Sequence, residues 1–301
     1  MKLKYSNDDH IFNIHTEGIP YLSFDMLDGL GVPNLFSTRY ISYDEKAGAG
    51  VKGLRCAVMK TESVEEASPV CRANRDILAH QLGSSLEMEL VTDQKHTNYV
   101  HVSTCEEDLG VATVGSFALH RQFVDGIVTD IPDALLTVFG GDCPPVYIVD
   151  PVRKAAGLVH AGWKGTLGKI PQVAIAQMTV KFGCDPADMY AAIGPGVCVD
   201  CYEMGDEVYD VFAEKWSRED ADMLLHRYPA KDADGNEIPG GKYHLDLRKA
   251  NLMTLLRAGV PADHIAVSNI CTMCNVDTFY SYRGRRLENE QVAMLVNHWE
   301  E

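Results

Sequence analysis

The sequence predicts an α+β fold, with mixed β-sheets flanked by helices in a single domain over residues 1–301. Three observations carry that prediction. Strand-like apolar runs and helical stretches interleave, but without a strict strand–helix–strand rhythm. The runs Ala134–Phe139, Val146–Val149 and Ala155–His160 are almost continuously apolar, the pattern of strands buried on both faces. No composition break, repeat or low-complexity tract divides the chain.

In chain order, the first 60 residues read as short strands and turns, punctuated at Ala47-Gly48-Ala49-Gly50. Ser68-Pro69 predicts a helix start, with Ile77, Leu78 and Leu82 as its apolar stripe and Gly83 as its stop. Ser63 and Glu66 form a competing capping box, which the position of Pro69 disfavours. Met88–Thr92 and Tyr99–Thr104 read as strands around a turn at His96. Three apolar strands follow, then a helix over Gly168–Phe182 and a strand over Met189–Ile193. Asp206–Trp216 is helical, burying Val208, Val211 and Phe212. Lys231–Lys242 is a polar surface loop; its Asp232-x-Asp234-Gly235 start lacks the closing Glu of a calcium loop. Asp246 caps a helix carrying Leu252, Leu255 and Leu256 and ended by Gly259; His264–Ser268 and Thr278–Arg283 are late strands.

A net charge of −16 argues against phosphate-backbone binding as the main task, so no nucleic-acid partner is expected. A local basic cluster can still serve a small anion. The N-terminus lacks a signal-peptide core and no run spans a bilayer, which predicts a cytoplasmic protein without membrane partner. In that reducing setting nine cysteines point to free thiols or metal ligands rather than disulfides.

Candidate chemistry centres on Leu136–Gly165. Cys143 and His160 each follow or close a β-like run and open into turn residues, Pro144-Pro145 and Ala161-Gly162. With His96 they offer two imidazoles and a thiolate, a set that suits a catalytic zinc with one open position, or copper. The same residues permit a nucleophile and its base, Cys143 and His160, with Asp142 as orienter or ligand contact. Residue type alone leaves both readings open. His101 and His120 read as spare surface or packing residues. The pairs Cys198–Cys201 and Cys271–Cys274 resemble a structural zinc site, but the 69 residues between them favour packing near the site, with redox-sensitive thiols. Arg39, Lys164 and Arg283 lie at strand ends or beside the His160 turn, where they can grip an anion. Gly194-Pro195-Gly196 has neither P-loop nor dinucleotide spacing.

Seven ordered segments together resemble one family. These are Gln94-Lys95-His96, Gly141-Asp142-Cys143-Pro144-Pro145-Val146, and the run from His160 to Thr166. Ala192–Gly196 with Cys201-Tyr202-Glu203, His244–Leu247 with Asn251, Cys271–Cys274, and Phe279–Arg283 continue the match. The chain from about residue 36 onward resembles the laccase-domain family, also called multicopper polyphenol oxidase or YfiH family, whose members are described as purine nucleoside phosphorylases. The resemblance implies a YfiH-like α+β fold and a zinc held by His96, Cys143 and His160. It implies phosphorolysis of adenosine, inosine or guanosine to free base and ribose 1-phosphate, with adenosine deamination and methylthioadenosine cleavage at the same site. Nucleoside and phosphate are then the partners, with Arg39, Asp142, Lys164 and Arg283 as contacts. Three segments depart from the family pattern: Tyr40-Ile41-Ser42 follows Thr38-Arg39 in place of a Gly-Gly element, Leu54-Arg55-Cys56 replaces Leu-Asn-Leu, and Gly140-Gly141 replaces Thr-Ala. Rival expectations are a copper-dependent polyphenol oxidase, a Cys143–His160 hydrolase and a non-enzymatic metal-binding module. Eleven scattered histidines do not form the paired motifs that a four-copper oxidase needs.

Overall fold

The structure, a computed structural model, describes residues 1–57, 64–110, 123–231, 236–238, 240–285 and 289–299. Two six-stranded mixed sheets stack face to face. The first runs Phe12–His15, Tyr21–Phe24, Asn34–Ser37, Gln291–Val296, Leu135–Gly140, Glu89–Val91. The second runs Ile265–Val267, Tyr190–Ile193, Pro145–Asp150, Ala155–His160, Gly126–Thr129, Val100–Ser103. Each is antiparallel except at one pairing or two: Glu89–Val91 with Leu135–Gly140 in the first, and both outer pairs of the second.

The continuous apolar strands follow from this stacking. Tyr147 and Val149 enter the core between the sheets, with Leu136, Val138, Leu158 and Phe24. Val146 and Ile148 point the other way, onto Ala174, Ile175 and Met178 of the Ile170–Phe182 helix and Leu255 of the Leu247–Ala258 helix. Both faces are thus covered, and each fully buried Leu, Ile or Val contributes about 1.5–3 kcal/mol relative to exposure. On the outer face of the first sheet, Leu35, Leu135 and Met294 pack against Leu78, Ala79 and Leu82 at the end of the Val64–Gln81 helix. A smaller core of Val197, Tyr202, Phe212, Leu224 and Leu245 joins two short helices to a three-stranded sheet.

Several expectations hold with small shifts of boundary. Asp246 accepts a hydrogen bond from the Lys249 N–H at 2.9 Å, and Gly259 ends that helix at φ +103°. Gly83 ends its helix at φ +73°. Others change. The first long helix spans Val64–Gln81, so Pro69 lies inside it; burial of Cys71, Arg75, Leu78 and Ala79 overrides the proline signal. Ile77 is 47% exposed, because the buried face runs through those residues instead. Ser63 lies outside the described residues. The expected Gly168–Phe182 helix is two, Trp163–Leu167 and Ile170–Phe182, separated at Lys169 with φ +57°. Leu256 is exposed, while polar Asn251 and Thr254 are buried. Thr278–Arg283 forms a turn leading into a short helix, Tyr282–Arg285, rather than a strand. A short ribbon, Ala230–Lys231 with Glu237–Ile238, occupies the expected polar loop, whose Asp232-x-Asp234 start lies outside the described residues, as does His120. No helix among the described residues is long and apolar enough to cross a membrane.

Candidate metal centre

Hairpin register builds the site. Pro145 pairs with His160 at the open end of the Pro145–Asp150/Ala155–His160 hairpin, and Val159 pairs with Gly126. Cys143, two residues before Pro145, and Asp125, one before Gly126, are therefore carried to the same sheet end as His160. The His96 turn arrives from the other sheet. Gln94 fixes it: its side-chain amide donates to the Phe139 carbonyl and its oxygen accepts from the Phe139 N–H, both at 2.7 Å, as a paired strand residue would.

His96 adopts φ +60°, a conformation that a non-glycine residue holds only when its surroundings impose it. Asp125 imposes it. Its fully buried carboxylate accepts from the backbone N–H groups of Lys95 (3.1 Å), His96 (2.9 Å) and Thr97 (2.7 Å) and from the Thr97 hydroxyl (2.8 Å). The same carboxylate lies 2.8 Å from His160 Nδ1, which leaves Nε2 as the nitrogen of that ring available to the Cys143 side. Burial pushes the Asp125 carboxyl up, but the His160 contact and the N–H donors outweigh it and hold it below its ordinary range.

The donor atoms of His96, Cys143 and His160 all lie within 4.8 Å of one another. Cys143 Sγ is 3.8 Å from His96 Nε2, and the two imidazoles meet edge to face with centroids 4.9 Å apart. Burial raises the Cys143 thiol, yet His160 and His96 bring it down to about 7. Burial opposes charge on His160, while Cys143 and Asp125 lift its imidazole to about 10. One thiol and two imidazoles this close together, with a carboxylate behind one imidazole, are a donor set that could hold a zinc or copper ion. Gly162 closes the space: a Cβ there would stand 2.7 Å from His96 Cδ2 and 2.9 Å from Cys143 Sγ.

The remaining candidates are placed as follows. Asp142 is buried; its carboxylate accepts from the Thr272 and Ser281 hydroxyls and the Arg283 N–H, each at 2.7 Å. Arg283 is exposed, donates to the Glu203 carbonyl at 2.7 Å and lies over the Tyr202 ring. Lys164 is exposed over the Trp163 ring. Arg39 is 6% exposed; it donates to the Val276 carbonyl at 2.9 Å and lies over Tyr280. His101 faces Asp108 and stands outside the triad. The four late cysteines, expected merely to pack, bring all their sulfurs within 4.8 Å of one another. Their spacing along the chain misleads because Tyr190–Ile193 and Ile265–Val267 are parallel neighbours, so the segments after them run side by side.

Sequence reasoning missed Asp125. Its only signal is a lone acid between Phe123-Val124 and Gly126-Ile127-Val128, which reads equally well as a solvated strand end.

Fold and site together define an α+β protein in which two histidines and a cysteine that could hold a metal ion meet at the shared end of two stacked sheets. The chain belongs to the family described as multi-copper polyphenol oxidoreductase laccase, whose model matches residues 56–296. Among its relatives is a purine nucleoside phosphorylase, YlmD, from Bacillus subtilis (strain 168), 32% identical over 213 residues, or 70% of each chain. An adenosine deaminase, RL5, from an unknown prokaryotic organism is 33% identical over 206 residues, 68% of this chain and 73% of that one. The crystal structure of YlmD from Geobacillus stearothermophilus superposes with a TM-score of 0.77 at 28% identity, covering 97% of this chain and 100% of that one.

Proposed function

We propose that the chain is a zinc-dependent purine nucleoside phosphorylase, cleaving adenosine, inosine or guanosine with phosphate to free base and ribose 1-phosphate, with adenosine deaminase and methylthioadenosine phosphorylase activity at the same centre. The observation that carries this reading is the convergence of His96, Cys143 and His160 within 4.8 Å, with Asp125 behind His160. The names of the relatives supply the reaction class.

His96, Cys143 and His160 would hold the ion, which supplies Lewis-acid polarisation and an acidified water. Asp125 fixes the His160 tautomer, so that Nε2 presents its lone pair to the centre. Arg283 and Lys164, both exposed beside the centre, are the proposed phosphate contacts. Arg39 is the third proposed phosphate contact; one N–H of its buried guanidinium also ties it to the Val276 carbonyl. Asp142, with both oxygens engaged, positions the Cys143 loop against Thr272, Ser281 and Arg283. Deamination fits the same donor set, since nucleoside deaminases activate water on a His/Cys zinc.

A second reading has one observation in its favour. Asp125, His160 and Cys143 are arranged as orienter, base and nucleophile. It leaves unexplained why a second imidazole, that of His96, stands 3.8 Å from the same sulfur. The test is elemental analysis followed by incubation with adenosine or inosine, with and without phosphate. Phosphate-dependent base release that a chelator abolishes is the expected result. Phenol oxidation with bound copper and no nucleoside turnover would overturn it. Chelator-resistant ester or amide hydrolysis lost in Cys143→Ala would transfer the assignment to the hydrolase.

A further inference from the structure

We infer that Cys198, Cys201, Cys271 and Cys274 form a second, structural metal site, a four-thiolate site for zinc independent of the His2Cys centre. Every pair among the four sulfurs lies within 4.8 Å, and Cys201 Sγ stands 3.6 Å from Cys274 Sγ. In a zinc tetrathiolate with bonds of about 2.3 Å, the sulfurs sit about 3.8 Å apart. In a disulfide they would be bonded at about 2.0 Å. All four cysteines are free thiols here. A closed set of four sulfurs with no histidine or carboxylate in the cluster selects zinc among common divalent ions and leaves no open position for catalysis.

Backbone donors converge on one of the four sulfurs. The N–H groups of Cys198 and Cys274 both point at Cys271 Sγ, at 3.2 and 3.4 Å. Cys271 is buried while Cys274 is exposed, which gives the ion a path in from solvent.

The place of the cluster says what it does. It joins the segments that leave two parallel strands, where Gly196 bridges to Cys271 and Thr272 donates to the Gly196 carbonyl. The segment that begins at Cys271 carries Thr272, Ser281 and Arg283, the three residues that hold Asp142 beside Cys143. The segment after Cys201 carries Tyr202 and Glu203, on which the Arg283 guanidinium rests. A zinc here clips together two halves of one wall of the catalytic centre, in a stretch from Cys271 to Ser281 that has no strand or helix of its own beyond turns.

The test uses the full chain purified under reducing conditions. Wild type is expected to carry two zinc ions per chain, and the variant His96→Ala/Cys143→Ser/His160→Ala one. X-ray absorption on that one remaining ion is expected to give a first shell of four sulfurs. In wild type, Cys198, Cys201, Cys271 and Cys274 resist alkylation until a chelator is added, a readout that needs no variant. The inference is overturned by a triple variant that folds but binds no metal, or by nitrogen or oxygen in the first shell. It is equally overturned by thiols that alkylate freely in the metal-loaded wild type, or by an unreduced mass lacking two hydrogens for each of two disulfides. Iron in place of zinc overturns the choice of ion.

Discussion

Asp125 does at one residue what the chemistry asks of two sheets. Its carboxylate takes the backbone of the His96 turn and the far nitrogen of His160, so both imidazoles are set by one group. Replacing it by Asn keeps the size but turns one acceptor into a donor that faces N–H groups. Asp125→Asn is expected to weaken metal affinity about 10- to 100-fold, the range for partners that orient a ligand, while circular dichroism stays unchanged. Competition with a chelating indicator measures it. Unchanged affinity would remove Asp125 from the site.

At the scale of elements, two ion pairs behave in opposite ways. Arg75 of the Val64–Gln81 helix and Glu89 of the first sheet are both fully buried, 3.4 Å apart, with the Arg75 guanidinium also lying over Phe139. Burial drives the Glu89 carboxyl up against the pull of Arg75. Glu89→Gln leaves a buried cation without its counter-charge, and the expected loss is about 3–5 kcal/mol in denaturant unfolding. Asp220, by contrast, receives two hydrogen bonds from Arg257, which joins the Arg218–Leu224 helix to the Leu247–Ala258 helix. Those bonds hold its carboxyl below the ordinary carboxylate value. Its stabilisation is therefore fully present above the unfolded-state value and is lost as pH falls through the lower folded-state one. Asp220→Asn is expected to melt lower than wild type at neutral pH, with the gap closing only in acid; a gap independent of pH would contradict this.

For the molecule as a whole, what was legible in the sequence divides along a physical line. Strands buried on both faces announce themselves, so Ala134–Phe139, Val146–Val149 and Ala155–His160 were readable within one residue at most ends. The strand Gln291–Val296 was not read, although it lies between Asn34–Ser37 and Leu135–Gly140 at the heart of the first sheet. It follows residues whose pattern continues no element, and its partners lie more than 150 residues away in one case and more than 250 in the other. In the site, metal-type residues at strand ends were legible, whereas Asp125 and the meeting of the four cysteines depend on which strands become neighbours, which no local pattern encodes. Because that last strand closes the sheet, removing residues 291–301 is expected to abolish cooperative thermal unfolding rather than trim an edge. A sharp transition in the shortened chain would refute that.

The hairpin that brings Cys143 to His160 also has another end. Its tip, Pro151 to Lys154, is largely solvent-facing, with Val152 64% exposed, and the Asp150–Ala155 pair that carries it lies five register steps from the Pro145–His160 pair. At about 3.4 Å per residue that is some 17 Å of paired backbone between tip and centre. The tip is thus an attachment point: a fluorophore or affinity peptide spliced there would report on the protein while His96, Cys143 and His160 keep their places.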